Sequence, residues 1–272
     1  MNETLTNYEK YGLVKIERMR KMIEGKVAVV TGGTRGIGFE IVRKFLNNGA
    51  KVALFGSKKE SIEEALNKLQ QENKDFKVIG FYPNLTDELE VRNTFKELAS
   101  KFGKIDILVN NAGMSSSTKI EEYTIEEYDK ISNINMKGVF VCSKEIVPYL
   151  KETKGCIINI SSMVSIYGQP AGCVYPMSKF AVNGLTKSLS RELAPFQIRV
   201  NAVAPGIMKT DMVAKLPKEM IDPLINQIPL GRIGIPEDIA NACVYLLSDE
   251  AMQVTGTDIK VTGGFLSVSR IG

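Results

Sequence analysis

A chain of 272 residues, 44% hydrophobic and 24% charged, carries enough apolar material for one large core, and α/β chains of this length commonly form a single domain. Histidine is absent, which excludes Ser-His-Asp and Cys-His nucleophile systems and histidine-ligated metals, so acid-base chemistry must use Tyr, Lys, Asp or Glu. The 35 basic and 31 acidic residues are interspersed, which leaves no nucleic-acid footprint, and no apolar run approaches the ~20 residues that span a bilayer.

Residues 1–23 read as an N-terminal extension, charged and without an apolar signal core, and the protein is expected to be cytoplasmic. From residue 24 onward the chain reads as one domain in which short β-rich runs alternate with amphipathic stretches, the pattern of βαβ units around a parallel sheet. Val27 to Thr31 predicts a buried first strand, and Ile37, Ile41 and Phe45 then recur at helical spacing until Asn48-Gly49. Val52 to Phe55 predicts a second strand and Ile62, Leu66 and Leu69 a second helix. Val78 to Phe81 predicts a third strand, Val91 to Phe102 a third helix, and Ile105 to Val109 a fourth strand. Cys156 to Ile160 and Ile198 to Val203 read as strands flanking a helix that carries Tyr175, Lys179, Val182, Leu185 and Leu189. Residues 207–230, rich in Met and Pro, break the alternation and read as a substrate lid; a last helix (Pro236 to Leu247) and strand (Asp258 to Val261) follow. Cys142, Cys156, Cys173 and Cys243 are too irregularly spaced for a disulfide framework or zinc site and are expected to be reduced and mostly buried.

Two local patterns carry chemistry. Thr31-Gly32-Gly33-Thr34-Arg35-Gly36-Ile37-Gly38 lies between the first strand and first helix, where glycines let backbone N–H groups at a helix N-terminus approach a pyrophosphate. Tyr175 and Lys179, four residues apart, share one helix face and set an ammonium beside a phenol. A neighbouring cation favours the phenolate, and so draws a group that titrates near pH ~10 toward the working range.

Together with Asn110-Asn111-Ala112-Gly113, Asn135, Ser162 and Pro205-Gly206, these patterns resemble the short-chain dehydrogenase/reductase family over roughly residues 25–265. Within it the chain looks similar to 3-oxoacyl carrier-protein reductases and bacterial hydroxysteroid dehydrogenases. The resemblance implies a single-domain Rossmann-type doubly wound parallel sheet flanked by helices, and hydride transfer between a nicotinamide cofactor and a carbonyl or secondary alcohol. It implies that Tyr175 is the general acid or base, that Lys179 lowers its pKa and binds the nicotinamide ribose, that Ser162 orients the substrate oxygen, and that Asn135 holds a relay water. Gly32, Thr34, Arg35, Gly36, Ile37 and Gly38 would hold the pyrophosphate; Asn84 and Leu85 would meet the adenine, Asn111, Ala112 and Gly113 the adenosine ribose, and Pro205, Gly206, Ile207 and Thr210 the carboxamide. Asn110, Asn133 and Ser161 read as structural.

The second strand ends Leu54-Phe55-Gly56-Ser57-Lys58, with no acid before Glu60 to accept a ribose 2′-OH, while Arg35, Ser57 and Lys58 suit a 2′-phosphate. NADP(H) is therefore expected, with NAD(H) left open by Gly56. The expected substrate wall is Met114, Ser162, Met163, Tyr167, Gln169, Met208 and Met212, with Ser115, Cys173 and Val174 beside them. Its methionines suit a bulky hydrophobic ketone such as a hydroxysteroid. A 3-oxoacyl thioester, a polyol or keto-sugar, and a non-catalytic NADP-binding role remain open at this level. The resemblance also implies a homo-oligomer, a dimer or tetramer, through the helix carrying Tyr175 and its predecessor.

Overall fold

Val27–Thr31 (β1) is apolar in all but its last residue and buried at every position, as a strand covered on both faces must be. The computed structural model, which describes residues 22–209 and 218–265, places it near the middle of one parallel sheet. Its companions are β2 (Lys51–Phe55), β3 (Val78–Phe81), β4 (Ile107–Asn110), β5 (Cys156–Ile160), β6 (Arg199–Pro205) and β7 (Asp258–Val261). Their order is β3-β2-β1-β4-β5-β6-β7. β1 pairs with both β2 and β4, so the winding reverses there. This is the doubly wound sheet expected from the sequence, and in such sheets ligands bind at the C-terminal strand ends beside the reversal.

Alternation along β1 sends side chains into two separate cores. Ala28 and Val30 pack with Ile41 and Phe45 of α1 (Gly36–Asn47) and with Ile62 and Leu69 of α2 (Lys59–Glu72). Val29 faces the other way, toward Val91, Phe95 and Leu98 of α3 (Glu88–Phe102). Each fully buried side chain of this kind stabilises the fold by ~1.5–3 kcal/mol.

Between β4 and β5 the chain forms α4 (Ile125–Ser132), a π-helical turn (Asn133–Gly138) and α5 (Val139–Thr153). The Thr124 hydroxyl caps α4 by accepting from the Glu127 N–H at 3.1 Å. After β5 come the short α6 (Val164–Tyr167) and the long α7 (Val174–Glu192), whose Pro176 sits in the first turn, where a missing N–H is tolerated. α8 (Lys218–Asn226) and α9 (Pro236–Leu247) complete the described helices. The expected lid at 207–230 falls partly outside the described residues, as does nearly all of the extension at 1–23. Among the described residues no helix is long and apolar enough to cross a membrane. All four cysteines are free; Cys142, Cys156 and Cys243 are buried and Cys173 is exposed.

Candidate active site

The turn after β1 is built for close approach. Gly32 adopts φ +65°, in the left-handed region open to glycine, and a Cβ there would come within 2.9 Å of the Ala112 Cα. The Arg35 side chain does not cap α1, and no acid lies in its first turn, so its N-terminal N–H groups and positive dipole end are left for an anion. The end of β2 closes on the same turn, since a Cβ on Gly56 would lie 2.7 Å from Thr34 Cγ2.

The ends of β1 and β4 are tied by a compact set of hydrogen bonds. Thr31 Oγ1 accepts from the backbone N–H of Asn111 and of Ala112, each at 3.0 Å. The Asn111 amide returns two bonds, to the Thr31 carbonyl at 3.0 Å and the Gly32 carbonyl at 3.1 Å. This arrangement opens a cleft of about 880 Å³ along the C-terminal ends of β1 to β4. Gly32, Thr34, Arg35, Gly36 and Ser57 line it at one side; Asn84, Leu85, Asn111, Ala112, Gly113 and Met114 line the rest. Its size and open glycine cradle fit a dinucleotide.

Of the expected cofactor residues, Ile37 and Gly38 lie behind the cradle, Lys58 is exposed outside the cleft lining, and Pro205, Gly206 and Ile207 sit at the end of β6. Thr210 lies outside the described residues. Sequence reading missed Phe55, Tyr82, Pro83, Glu90 and Ile134, which also line the cleft. Phe55 ends β2, and Tyr82 and Pro83 directly follow β3, positions that the parallel-sheet rule alone singles out. Glu90 has a local task, accepting from the Asn84 N–H at 2.7 Å.

α7 presents Tyr175 and Lys179 on one face, as their spacing requires. Lys179 is 6% exposed, and its Nζ donates to the Ile160 carbonyl at 2.7 Å. Burial drops its pKa from 10.5 to about 8. Its Nζ lies 5.8 Å from the centre of the Tyr175 ring. Burial pushes the Tyr175 phenol above its ordinary value, and its hydrogen bond with Ser162 draws it partly back. The expected lowering by Lys179 is therefore not the direction found in the protein alone, because loss of water around the phenol outweighs its neighbours.

The π-helical turn places Asn135 inward at 1% exposure. Its Oδ1 accepts from the Met114 N–H at 2.8 Å, while Nδ2 donates to the Met114 carbonyl at 2.8 Å and to Ser178 Oγ at 2.9 Å. The side chain thus clamps the strand-end segment beneath the cleft. A Cβ on Gly113 would stand 3.3 Å from Asn135 Oδ1 and 3.7 Å from Lys179 Nζ, which puts the cleft floor against the Tyr-Lys site.

Asn110 and Ser161 have the structural roles expected of them. Asn110 Nδ2 donates to Ser143 Oγ at 3.0 Å and Asn159 Oδ1 at 2.8 Å, inside the core. Ser161 donates to Asn183 Oδ1 at 2.6 Å.

On the substrate side, Met114 lines the cleft, Met163 is half-buried and Tyr167 is 39% exposed. Two expected contacts are otherwise engaged. Met208 is buried in the core, its terminal atoms packed on Gly234. The Gln169 amide donates to the Ser116 and Gly172 carbonyls, each at 2.9 Å, and so braces two loops together. Met212 lies outside the described residues.

A family model described as enoyl-(acyl carrier protein) reductase matches residues 32–266. The chain belongs to the short-chain dehydrogenase/reductase family. Members of this family act on CH–OH groups with a nicotinamide cofactor, and this chain is such an oxidoreductase. It is 56% identical over 246 residues to a 3alpha-hydroxysteroid dehydrogenase of Mediterraneibacter gnavus, covering 90% of this chain and 98% of that protein. It is 39% identical over 245 residues to the 3-oxoacyl-(acyl-carrier-protein) reductase FabG of Thermotoga maritima, and 41% over 247 residues to that of Rickettsia conorii. Both matches cover 90% of this chain and 99% of the relative.

Proposed function

We propose that this short-chain dehydrogenase/reductase interconverts a hydroxysteroid and the corresponding ketosteroid, using NADP(H), with Tyr175 as general acid and base. The observation that carries the reading is the meeting of Tyr175, Lys179 and Ser162, with Lys179 set against Gly113 in the lining of an 880 Å³ dinucleotide-sized cleft. The bound nicotinamide supplies the hydride for ketone reduction and takes it in the reverse direction. Tyr175, a phenol whose pKa burial raises above its ordinary value, donates its proton to the carbonyl oxygen. Ser162 donates a hydrogen bond to the same oxygen and holds it against the phenol. Lys179 supplies positive charge that favours the phenolate left behind, and its burial at 6% exposure keeps that charge effective. Arg35 and Ser57, with no carboxylate at the end of β2, support a 2′-phosphate over a free 2′-OH.

A steroid is favoured by the name and 56% identity of the Mediterraneibacter gnavus protein and by the apolar Met114 beside the site. A 3-oxoacyl thioester is the second reading, favoured by the FabG relatives at 39–41% identity. The reading includes a cytoplasmic homo-oligomer, supported by exposed Phe140 on α5 and Met177 and Phe180 on α7. The test follows NADPH and NADH absorbance with 3-ketosteroids and 3-oxoacyl thioesters. Oxidation of NADPH by the ketosteroid alone is expected. Turnover of the thioester alone would transfer the assignment to the second reading, and NADPH binding without any turnover would leave a non-catalytic role.

A further inference from the structure

We infer that Asn183 is a positioning residue for this reaction: oriented by Asp258, its amide directs the Ser165 hydroxyl that holds the Ser162 backbone in place. The inference rests on the roles given above to Tyr175 and Ser162. Asn183 follows Lys179 by four residues and Tyr175 by eight, so α7 presents all three on one face. Asn183 Nδ2 donates to Asp258 Oδ2 and to Ser165 Oγ, each at 2.9 Å, and Oδ1 accepts from Ser161 Oγ at 2.6 Å. Ser165 Oγ in turn donates to the Ser162 carbonyl at 2.6 Å, a carbonyl that also accepts the Ser165 N–H at 3.0 Å.

Donor and acceptor capacity favours one orientation of the Asn183 amide in this array. An ionised carboxylate only accepts, so Asp258 requires the NH₂ end of Asn183 to face it. The amide oxygen then faces Ser161, whose single proton it shares with Ser165 Oγ, at 2.6 and 3.0 Å from Ser161 Oγ respectively. Ser165 accepts the second amide hydrogen, which leaves its own proton for the Ser162 carbonyl. A flipped amide would set Oδ1 against the carboxylate, two acceptors face to face in a partly buried place. Burial raises the Asp258 carboxyl above its ordinary 3.8, while the Asn183 bond and Lys260 and Lys187 oppose that rise.

The consequence falls on Ser162. Ser161 N–H and Met163 N–H are already held by Val203 and Pro205 on β6, at 2.8 and 2.9 Å, so the strand itself is fixed. The Ser162 carbonyl lies between those two anchors, and the Ser165 hydroxyl restrains its tilt. That tilt sets where the Ser162 hydroxyl meets the substrate oxygen, and small misplacements of a polarising group cost rate rather than binding.

The test uses full-length protein at pH 8 with NADPH and a 3-ketosteroid. It records kcat, KM, NADPH affinity by fluorescence and the thermal midpoint. Asn183→Ala and Ser165→Ala are each expected to lower kcat by about ten-fold or more with NADPH affinity unchanged. The exchange Asn183→Asp with Asp258→Asn restores a donor-acceptor pair between α7 and β7 but removes the N–H given to Ser165, whose proton then turns to the new carboxylate. Its thermal midpoint is expected to recover relative to Asn183→Ala while kcat stays low. Recovery of kcat along with the midpoint would show that Asn183 only ties α7 to β7 and would overturn the inference. If Asn183→Ala fails to fold, Ser165→Ala decides, and an unchanged kcat there overturns it equally. Tyr175→Phe separates the two levels: turnover retained in that variant sinks the site assignment and this inference with it. Loss in Tyr175→Phe beside full rates in Asn183→Ala and Ser165→Ala sinks the inference alone.

Discussion

Replacing Lys179 by Met should make the protein more stable at neutral pH while abolishing turnover, and the gain should disappear as pH rises. The ammonium is 6% exposed, and burial moves its pKa from 10.5 to about 8. Between those values the unfolded chain holds more protons than the folded one, so folding stability rises with pH across the window. Below pH 8 the folded protein bears the full cost of the buried charge. At ~1.4 kcal/mol per pH unit, that cost is about 3 kcal/mol. Methionine has nearly the same length and none of the charge. Its cost is the donor lost to the Ile160 carbonyl at 2.7 Å, about 1 kcal/mol at any pH. The net expectation at pH 7 is a variant more stable by about 2 kcal/mol. At pH 10.5 it should be less stable by about 1 kcal/mol. Urea unfolding of the cofactor-free proteins, followed by far-ultraviolet circular dichroism at steps from pH 7 to 10.5, measures the difference. Tyr175 and the other titrating groups are common to both proteins and largely cancel. A difference that stays flat across the window would refute the argument, because it would mean that the ammonium is solvated in the folded state.

Tyr175→Phe should lower kcat by ~10²–10⁴-fold with NADPH affinity unchanged, since only the proton carrier is lost; single-turnover kinetics and fluorescence titration check the two halves. Because burial raises the Tyr175 pKa and sets that of Lys179 at about 8, kcat/KM for ketone reduction should be flat from about pH 6 to 7 and decline as the Lys179 ammonium titrates near pH 8, whereas oxidation of the alcohol should climb with pH as the base form of Tyr175 appears. A reduction rate that falls through neutrality would contradict that direction. Arg35→Ala should weaken NADPH much more than NADH, and Ser57→Asp should invert the preference by placing a carboxylate where the 2′-phosphate would lie; dissociation constants for both cofactors decide this. Gly32→Ala should abolish binding of either cofactor and destabilise the fold by ~1–3 kcal/mol, because the residue combines φ +65° with a Cβ 2.9 Å from Ala112.

The inner strands were legible because a parallel strand buried on both faces reads as an apolar run, as Val27–Thr31 and Cys156–Ile160 largely do; the edge strands Val78–Phe81 and Asp258–Val261, only partly buried, also fall where the pattern put them. The stretch between β4 and β5 was not read as helices, although Thr124 and Glu127 form a usable start signal for α4. The π-helical turn at Asn133–Gly138 shifts the register between α4 and α5, but Val139, Cys142, Ile146 and Leu150 recur at spacings of three and four and so also marked α5, which runs on through Pro148. Spacing alone put Tyr175 and Lys179 together, yet it could not give the direction of the phenol's shift, which depends on how much water the surrounding elements remove.

The same distinction separates the residues whose roles could be read from those that could not. Gln169 and Met208 carry side chains suited to a substrate wall, but one braces Ser116 to Gly172 and the other fills the core against Gly234. Residue type states what a side chain can do, and its partners determine what it does. Asn183 is the converse, a polar residue with no motif to mark it, whose partner Asp258 lies 75 positions away. Sequence spacing reveals chemistry when the partners share a helix turn, as Tyr175 and Lys179 do. When the partners are brought together only by the return of β7 alongside β6, the folded arrangement is the first place where the connection can be seen.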